Sequence, residues 1–353
     1  MPQTPIFGLR LDEIKAELAK LDIPAFRATQ IVQWLYNKGV WEVEAMSNLG
    51  KELQEKLKQN FILSPAKIKT VASSQDGQTQ KFLLEFTDGK LAETVLMRTR
   101  YGASVCISSQ AGCAMGCKFC ASTLRGLERN LTAGEMLAQA TYASYILQKE
   151  NLRLSHIVVM GSGEPLMNYD NLIRFIKLAN AEYALGIGLR HITVSTCGIV
   201  PAIKKLQAEN LPITLAISLH APYDELRSKL MPINLKYPLN EVLKAANDYA
   251  NHTKRQVTYE YVLLAGVNDS NEHANQLSDI LRGKLASVNL IPFNSVDERT
   301  FKKPDFRTIK NFADILEKRG IVATIRRERG SEVNAACGQL RNRVLKDGKN
   351  NEA

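Results

Sequence analysis

Apolar residues recur three and four positions apart near the start of the chain: Leu11, Ile14, Leu18 and Leu21, then Ile31, Trp34 and Leu35, then Met46, Leu49, Leu53 and Leu57. This is the spacing of one face of a helix, so residues 1–60 predict a small helical unit. From Lys67 to Met97 the pattern changes to strand-like runs, KIKTVAS, QKFLLEF and LAETVLM, broken by turn signals at Asp76-Gly77 and Asp88-Gly89. A short antiparallel unit bridging two domains is expected there.

Beyond Tyr101 strand-like and helical segments alternate. Strands are predicted at Val105–Ser108, His156–Met160, His191–Thr196, Ile213–Leu219, Gln256–Leu263, Ser287–Phe293 and Ile321–Arg327. Between them, helices are predicted from Thr132 and from Asn171, then over Pro201–Glu209, Asn240–Asn251, Glu272–Leu281 and Arg307–Arg319. Such βα repetition implies parallel strands joined by right-handed crossovers. The fold class is therefore α/β, and about six or seven units suggest a partial (β/α) barrel with active residues at the C-terminal ends of its strands. The tail Lys346–Ala353 is expected to fray.

Composition adds bounds. With 353 residues, 45% of them hydrophobic, the chain can bury one large core plus a smaller appendage. Apolar stretches such as Ile157–Met160 and Ile213–Leu219 fall far short of the roughly 20 residues that span a bilayer. The N-terminus mixes charges into its apolar residues and lacks a secretory core, so a cytoplasmic location is expected. Lys and Arg number 46 against 36 Asp and Glu, a formal charge of +10. That excess suits a polyanion such as nucleic acid, and it also suits a merely soluble basic protein. Six cysteines in a reducing compartment are expected to be ligands or catalytic groups rather than structural disulfides.

Three of them, Cys113, Cys117 and Cys120, lie in AGCAMGCKFCAS just after a predicted strand. Three thiolates at this spacing can hold three irons of a [4Fe-4S] cluster and leave the fourth open to a ligand. A structural zinc site is the alternative, but it wants four ligands and only three stand here.

Cys-x-x-x-Cys-x-x-Cys after the first strand of a βα series resembles the signature of radical S-adenosyl-L-methionine (SAM) enzymes, in which SAM chelates the open iron. The resemblance implies a barrel of the radical SAM type, with Phe119 shielding the cluster, although ordinary core packing accounts for that ring equally well. Gly161-Ser162-Gly163-Glu164-Pro165, one unit further on, matches the Gly-rich motif of that superfamily. Its glycines admit a ligand to the backbone, and Glu164 can accept from an ammonium.

Further segments resemble the RlmN/Cfr family of RNA methyltransferases: VCISSQAGC around Cys106, ITVSTCGIVP around Ser195, AISLHAP around His220, LMPIN at Leu230–Asn234, VNLIPFN ending at Asn294 and NAACGQLR around Cys337. That resemblance implies that Gly163, Glu164, Ser195, Ser218, Leu219, His220 and Asn294 contact SAM. It makes Cys337 the methyl-carrying cysteine, Cys106 the cysteine that resolves a covalent RNA adduct, and Glu93 a proton acceptor. In the implied cycle one SAM methylates Cys337 and a second yields a 5′-deoxyadenosyl radical that activates this methyl group. The activated carbon adds to adenine, and Cys106 then releases the product with formation of a Cys106–Cys337 disulfide that a reductant must reset.

Each assignment has an ordinary counterpart. Cys337 can be a buried apolar thiol, His220 a core histidine, Ser195 and Ser218 hydroxyls that satisfy strand ends, and Glu93 a solvent-facing residue; Cys197 reads as packing. Candidates for phosphate contact are Arg326, Arg327 and Arg329, then Arg341 and Arg343, the group Arg98, Arg100, Arg125 and Arg129, and the basic stretch Lys51–Lys69.

The organisation expected from the resemblance is a helical accessory RNA-binding domain over 1–62, a β linker over 63–98, a radical SAM core with the C-terminal catalytic cysteine loop over 99–345, and a tail over 346–353. The implied activity is methylation of carbon 2 of an adenosine in 23S rRNA, in the peptidyl-transferase region, and of a tRNA adenosine beside the anticodon. An electron donor such as flavodoxin or ferredoxin is implied as partner. A Cfr-type carbon-8 methyltransferase conferring antibiotic resistance shares every cysteine named, but ETVLMRTRYG, GEPLMN and TIRRERGSEVNAACGQLR look more like the RlmN branch. A non-catalytic metal-binding RNA-binding protein would keep the cluster cysteines without needing Cys106 and Cys337 as well.

Overall fold

The computed structural model describes residues 3–296, 298–326 and 339–350, the last four of these by their backbone alone. The N-terminal periodicity folds as β1 (Thr4–Pro5), α1 (Leu11–Ala19), α2 (Phe26–Val32) extended by a π-helical turn over Gln33–Asn37, α3 (Lys51–Asn60) and β2 (Phe61–Ile62), which pairs in parallel with β1. Ile14, Leu18, Ile31, Leu35 and Leu57 are fully buried, as their spacing requires. Met46 and Leu49 share the apolar phase but precede the helix, because Gly50 holds the extended backbone of its N-cap. The unit lies against the rest of the fold where Gly8 meets Gly134: a Cβ on Gly8 would come 2.7 Å from the Gly134 Cα, and one on Gly134 would come 2.2 Å from the Phe7 carbonyl oxygen.

Four strands then run antiparallel: β3 (Ala66–Ser73), β4 (Thr79–Phe86), β5 (Leu91–Thr99) and β6 (Gly102–Ile107). A small hairpin of β7 (Gln110–Gly112) and β8 (Leu127–Asn130) brackets the cysteine loop. From β6 the sheet continues in parallel through β9 (Leu154–Val159), β10 (Ile192–Thr196), β11 (Thr214–Ser218), β12 (Val257–Leu263), β13 (Ala286–Pro292) and β14 (Val322–Ile325). The crossovers carry α4 (Ala133–Lys149), α5 (Tyr169–Asn180), α6 (Val200–Ala208), α7 (Asp224–Leu230) with α8 (Leu239–Thr253), α9 (Asn271–Leu281) and α10 (Phe306–Lys318). Helix α11 (Gln339–Asn350) follows.

The parallel strands form the expected α/β partial barrel. The antiparallel strands are part of it: β5 pairs with β6 through Val95 and Cys106, giving one ten-stranded sheet whose edges are β3 and β14. Thr132 starts α4 as its N-cap, in a reciprocal capping box with Glu135. The seven-residue α7 is too short to show a period, and α11 runs past Lys346 to Asn350, into the stretch expected to fray. Among the described residues no helix is long and apolar enough to cross a membrane.

Candidate active site

Loops at the C-terminal ends of the parallel strands surround a cavity of about 840 Å³. Cys113 follows β7, and its N–H donates to the Gly126 carbonyl at 3.0 Å. The neighbouring Gly112 (φ +80°) must be glycine, since a Cβ there would lie 2.0 Å from the same oxygen. The Thr123 hydroxyl is placed to donate to the carbonyls of Cys117 (3.1 Å) and Cys120 (3.0 Å), while Arg299 donates to the Cys120 carbonyl and to Thr123 Oγ1, both at 3.1 Å. The loop is thus locked through its main chain, and Cys113, Cys117 and Cys120 all present to the cavity.

Burial, opposed by the amides of Met115 and Gly163 and joined by the charges of Cys120 and Glu164, pushes the Cys113 thiol up to about 12. Burial raises Cys117 as well. Thiols so placed ionise only against a cationic partner, which the iron of a cluster provides. Among the described residues no three His, Cys, Asp or Glu side chains converge in the manner of a mononuclear metal site, whose thiolates each lie about 2.3 Å from one ion. A [4Fe-4S] cluster makes no such demand, because each thiolate binds a different iron. Three local thiolates suit a [4Fe-4S] cluster whose fourth iron stays open, whereas a structural zinc site wants four ligands.

Gly163 (φ +107°) passes so close to β7 that a Cβ would sit 2.6 Å from that of Gln110. Glu164 is buried, with Oε1 accepting from Leu166 N–H at 3.0 Å and Oε2 from Cys197 N–H at 2.7 Å. Desolvation raises this carboxyl group and the amide bonds oppose that rise. The side chains of Cys197 and Thr196 bond to it as well, so a ligand ammonium has to share or displace one of these contacts. Ser195 and Ser218 bring their hydroxyl oxygens within 3.5 Å of each other. His220 (φ +60°) accepts from Val262 N–H at its Nδ1 (2.9 Å), which leaves the proton of the neutral ring on Nε2 as a donor. Burial, followed by the charge of Arg227, pushes this imidazole down to about 3. Its ring meets Phe119 edge to face at 4.8 Å.

Of the residues expected to act, Cys106, Gly163, Glu164 and Ser195 line the cavity together with the cluster cysteines, as do Ser218, His220 and Asn294. Leu219 is fully buried in the core and does not line the cavity; its N–H donates to the Glu260 carbonyl at 3.0 Å and its carbonyl accepts from Arg227 at 3.2 Å. Glu93 is buried and does not line the cavity; it pairs with Lys81 at 3.0 Å and accepts from the Arg341 N–H at 2.6 Å. Cys337 lies outside the described residues, as do Arg327 and Arg329. No disulfide joins the five described cysteines to one another.

Three arginines proposed for phosphate are spent internally. Arg98 binds Glu150, Arg129 bridges Asp88 and Glu135, and Arg341 is buried against Glu128. Conversely, sequence reasoning missed Arg227. This fully buried guanidinium donates to the carbonyls of Cys197 (2.7 Å), Ser218 and Leu219 (both 3.2 Å) and to Asn234 Oδ1 (2.7 Å). It ties the ends of β10 and β11 together under the SAM-contact candidates, and its only local signal is a charge inside a short helix.

Residues 107–277 match the family model of the radical SAM superfamily, and residues 4–63 match the ribosomal RNA large subunit methyltransferase N-terminal domain. A probable dual-specificity RNA methyltransferase RlmN of Clostridium novyi (strain NT) is 50% identical over 97% of this chain and 99% of its own length. The protein of the same description from Clostridium beijerinckii is 51% identical over 95% of this chain and 94% of its own. A crystal structure of a radical SAM methyltransferase from Sphaerobacter thermophilus superposes with a TM-score of 0.93 at 43% identity, covering 95% of this chain and 98% of that one. Identity of this order along nearly the whole length leaves the non-catalytic reading without support. The chain belongs to the RlmN family of radical SAM RNA methyltransferases.

Proposed function

We propose that the enzyme methylates carbon 2 of an adenosine in 23S rRNA, in the peptidyl-transferase region, and of a tRNA adenosine beside the anticodon. The observation that carries this reading is Cys106: a buried thiol on the wall of the cluster cavity, outside the cluster motif, where iron binding alone would not require it. The description of its RlmN relatives as probable dual-specificity RNA methyltransferases supports two RNA substrates. When bound at Cys113, Cys117 and Cys120, the cluster together with SAM supplies the deoxyadenosyl radical, with electrons from a flavodoxin- or ferredoxin-type donor.

The protein's own groups do the rest. Gly163 and the Ser218–His220 backbone admit SAM to the strand ends, Glu164 accepts from its ammonium, and Ser195, Ser218, His220 and Asn294 offer polar contacts around it. Cys337 carries the methyl group and Cys106 resolves the adduct. Glu93 accepts the carbon-2 proton; it stands two residues along β5 from Val95, the partner of Cys106. Residues 1–62 and the strands over 63–98 serve the 99–345 core as an accessory RNA-binding unit and its linker.

The test is incubation with reductant, labelled SAM and both RNAs, then digestion and mass spectrometry of the nucleosides. 2-Methyladenosine from both RNAs is expected; 8-methyladenosine would assign the Cfr-type activity instead.

Glu164→Ala should weaken SAM binding by roughly one to two orders of magnitude, the equivalent of a charge-assisted hydrogen bond of about 1.5–3 kcal/mol. It should also lower the melting temperature, because the amides of Leu166 and Cys197 lose their acceptor. Equilibrium dialysis and a thermal scan read both, and unchanged affinity would place Glu164 outside the SAM site.

A further inference from the structure

The inner wall of the barrel carries a polar row of which the roles above use Ser218 alone. Ser218, Glu260, Asn289 and Thr324 are successive lateral partners on β11, β12, β13 and β14, and all four line the cavity. Lateral partners in a sheet present their side chains on the same face. Two residues further along, Val262 and Ile291 are also lateral partners and line the cavity, so an apolar row adjoins the polar one on the side of the strand ends.

Glu260 is the charged member of this row and is only 5% exposed. Asn289 Nδ2 donates to its Oε2 at 2.8 Å. Its Oε1 has no hydrogen-bond partner among the described residues, and Arg326, which also lines the cavity, acts on the carboxylate through its charge without pairing with it. Burial raises this carboxyl group, with the Asn289 bond and Arg326 opposing the rise. A desolvated carboxylate held by one amide and left with an open oxygen is costly unless a ligand donates to it. The ligand must bring a hydroxyl or amine donor to Glu260, tolerate the Ser218 hydroxyl and Asn289 amide on either side, and lay an apolar face on Val262 and Ile291. A nucleoside meets all three demands, and a ribose hydroxyl on an acidic side chain is an established mode of recognising one.

We infer that Glu260 accepts a hydrogen bond from a ribose hydroxyl of an adenosine bound in the cavity, with Asn289 fixing the orientation of the carboxylate. The inference rests on the reading of this cavity as the site for SAM and the target adenosine. The ribose belongs either to SAM, which has free 2′- and 3′-hydroxyls, or to the RNA nucleotide, which has a free 2′-hydroxyl only.

The experiment compares wild type and Glu260→Ala, each reconstituted with its cluster. One arm measures dissociation constants for SAM and for its 2′-deoxy and 3′-deoxy forms; the other measures them for RNA carrying adenosine or 2′-deoxyadenosine at the target position. In the arm that holds the contact, wild type should lose about ten- to a hundredfold in affinity when the hydroxyl is removed. Glu260→Ala should lose a similar factor for the natural ligand and then be indifferent to the hydroxyl. Loss of discrimination in the SAM arm assigns the ribose to SAM, and in the RNA arm to the substrate. Equal discrimination by both proteins in both arms overturns the inference. Glu260→Gln, which keeps the side-chain volume and the bond from Asn289, takes the place of the Ala variant if that one fails to hold iron or melts early. Wild type that binds no SAM would instead sink the reading of this cavity as the SAM site, so the two failures are distinct.

Discussion

Cys117→Ala should emerge from anaerobic reconstitution with no iron–sulfur absorbance and no SAM cleavage. Three thiolates reach the cavity from the cysteine loop, and a cluster whose fourth iron must stay open for SAM uses all three. Among the described cysteines outside the motif, Cys106 and Cys197 also line the cavity, and Cys197 is close enough to influence Cys117. It is not free to move. Its N–H donates to Glu164, its carbonyl accepts from Arg227, and its thiol is bonded to Glu164 as well. Swinging Cys197 toward iron would break contacts among buried charged groups, each costing on the order of 1–3 kcal/mol. The same logic gives the control: Cys197→Ser should keep the cluster. Iron content and 5′-deoxyadenosine yield decide the matter, and a Cys117→Ala protein with full iron and full turnover would remove the basis for the cluster assignment. The same measurement applies to Cys113 and Cys120.

The elements were legible because their burial is periodic. In α5 the buried Leu172, Ile173, Phe175, Ile176 and Ala179 recur at helical spacing, and the buried strands β11 and β12 read as apolar runs. The cluster loop was legible because its ligands are local in sequence. Contacts between distant segments were not. Arg98 and Arg341 looked like phosphate ligands since their carboxylates stand 52 and 213 residues away, at Glu150 and Glu128. Arg129 has one partner six residues on, Glu135, and a second 41 residues back, Asp88. Glu260 escaped notice for a related reason. Within VTYEYVL it is one polar residue in a strand, and its meaning comes from Ser218 and Asn289 on the neighbouring strands. Arg299 likewise reaches back 179 residues to the Cys120 carbonyl. Sequence pattern identifies what a segment becomes, while the polar partners of a barrel interior are set by which strands adjoin.

The two cysteines outside the cluster motif should fail in opposite ways. Cys106 sits in β6 opposite Val95, 5% exposed and on the cavity wall, so it can meet a group held inside the cavity without leaving its strand. In the proposed cycle the methyl carbon borne by Cys337 becomes bonded to carbon 2 of adenine, which joins protein to RNA. Release then requires attack of the Cys106 thiolate on the Cys337 sulfur: an S–S bond forms, the S–C bond breaks, and the carbon keeps the electron pair and takes a proton to become the product methyl group. External thiol reduces the resulting disulfide. Cys106→Ala removes that attacking sulfur and nothing earlier in the sequence of steps, so RNA should accumulate in covalent linkage to Cys337 and turnover should fall to background. Cys337→Ala removes the carrier and should form no RNA link at all. Both proteins should retain their iron, since neither residue belongs to the cluster set. Denaturing electrophoresis with labelled RNA displays the shifted band, and peptide mass spectrometry locates the bond. A shifted band in Cys337→Ala, or a link at a residue other than Cys337 in Cys106→Ala, would reverse or refute the order of the two thiols.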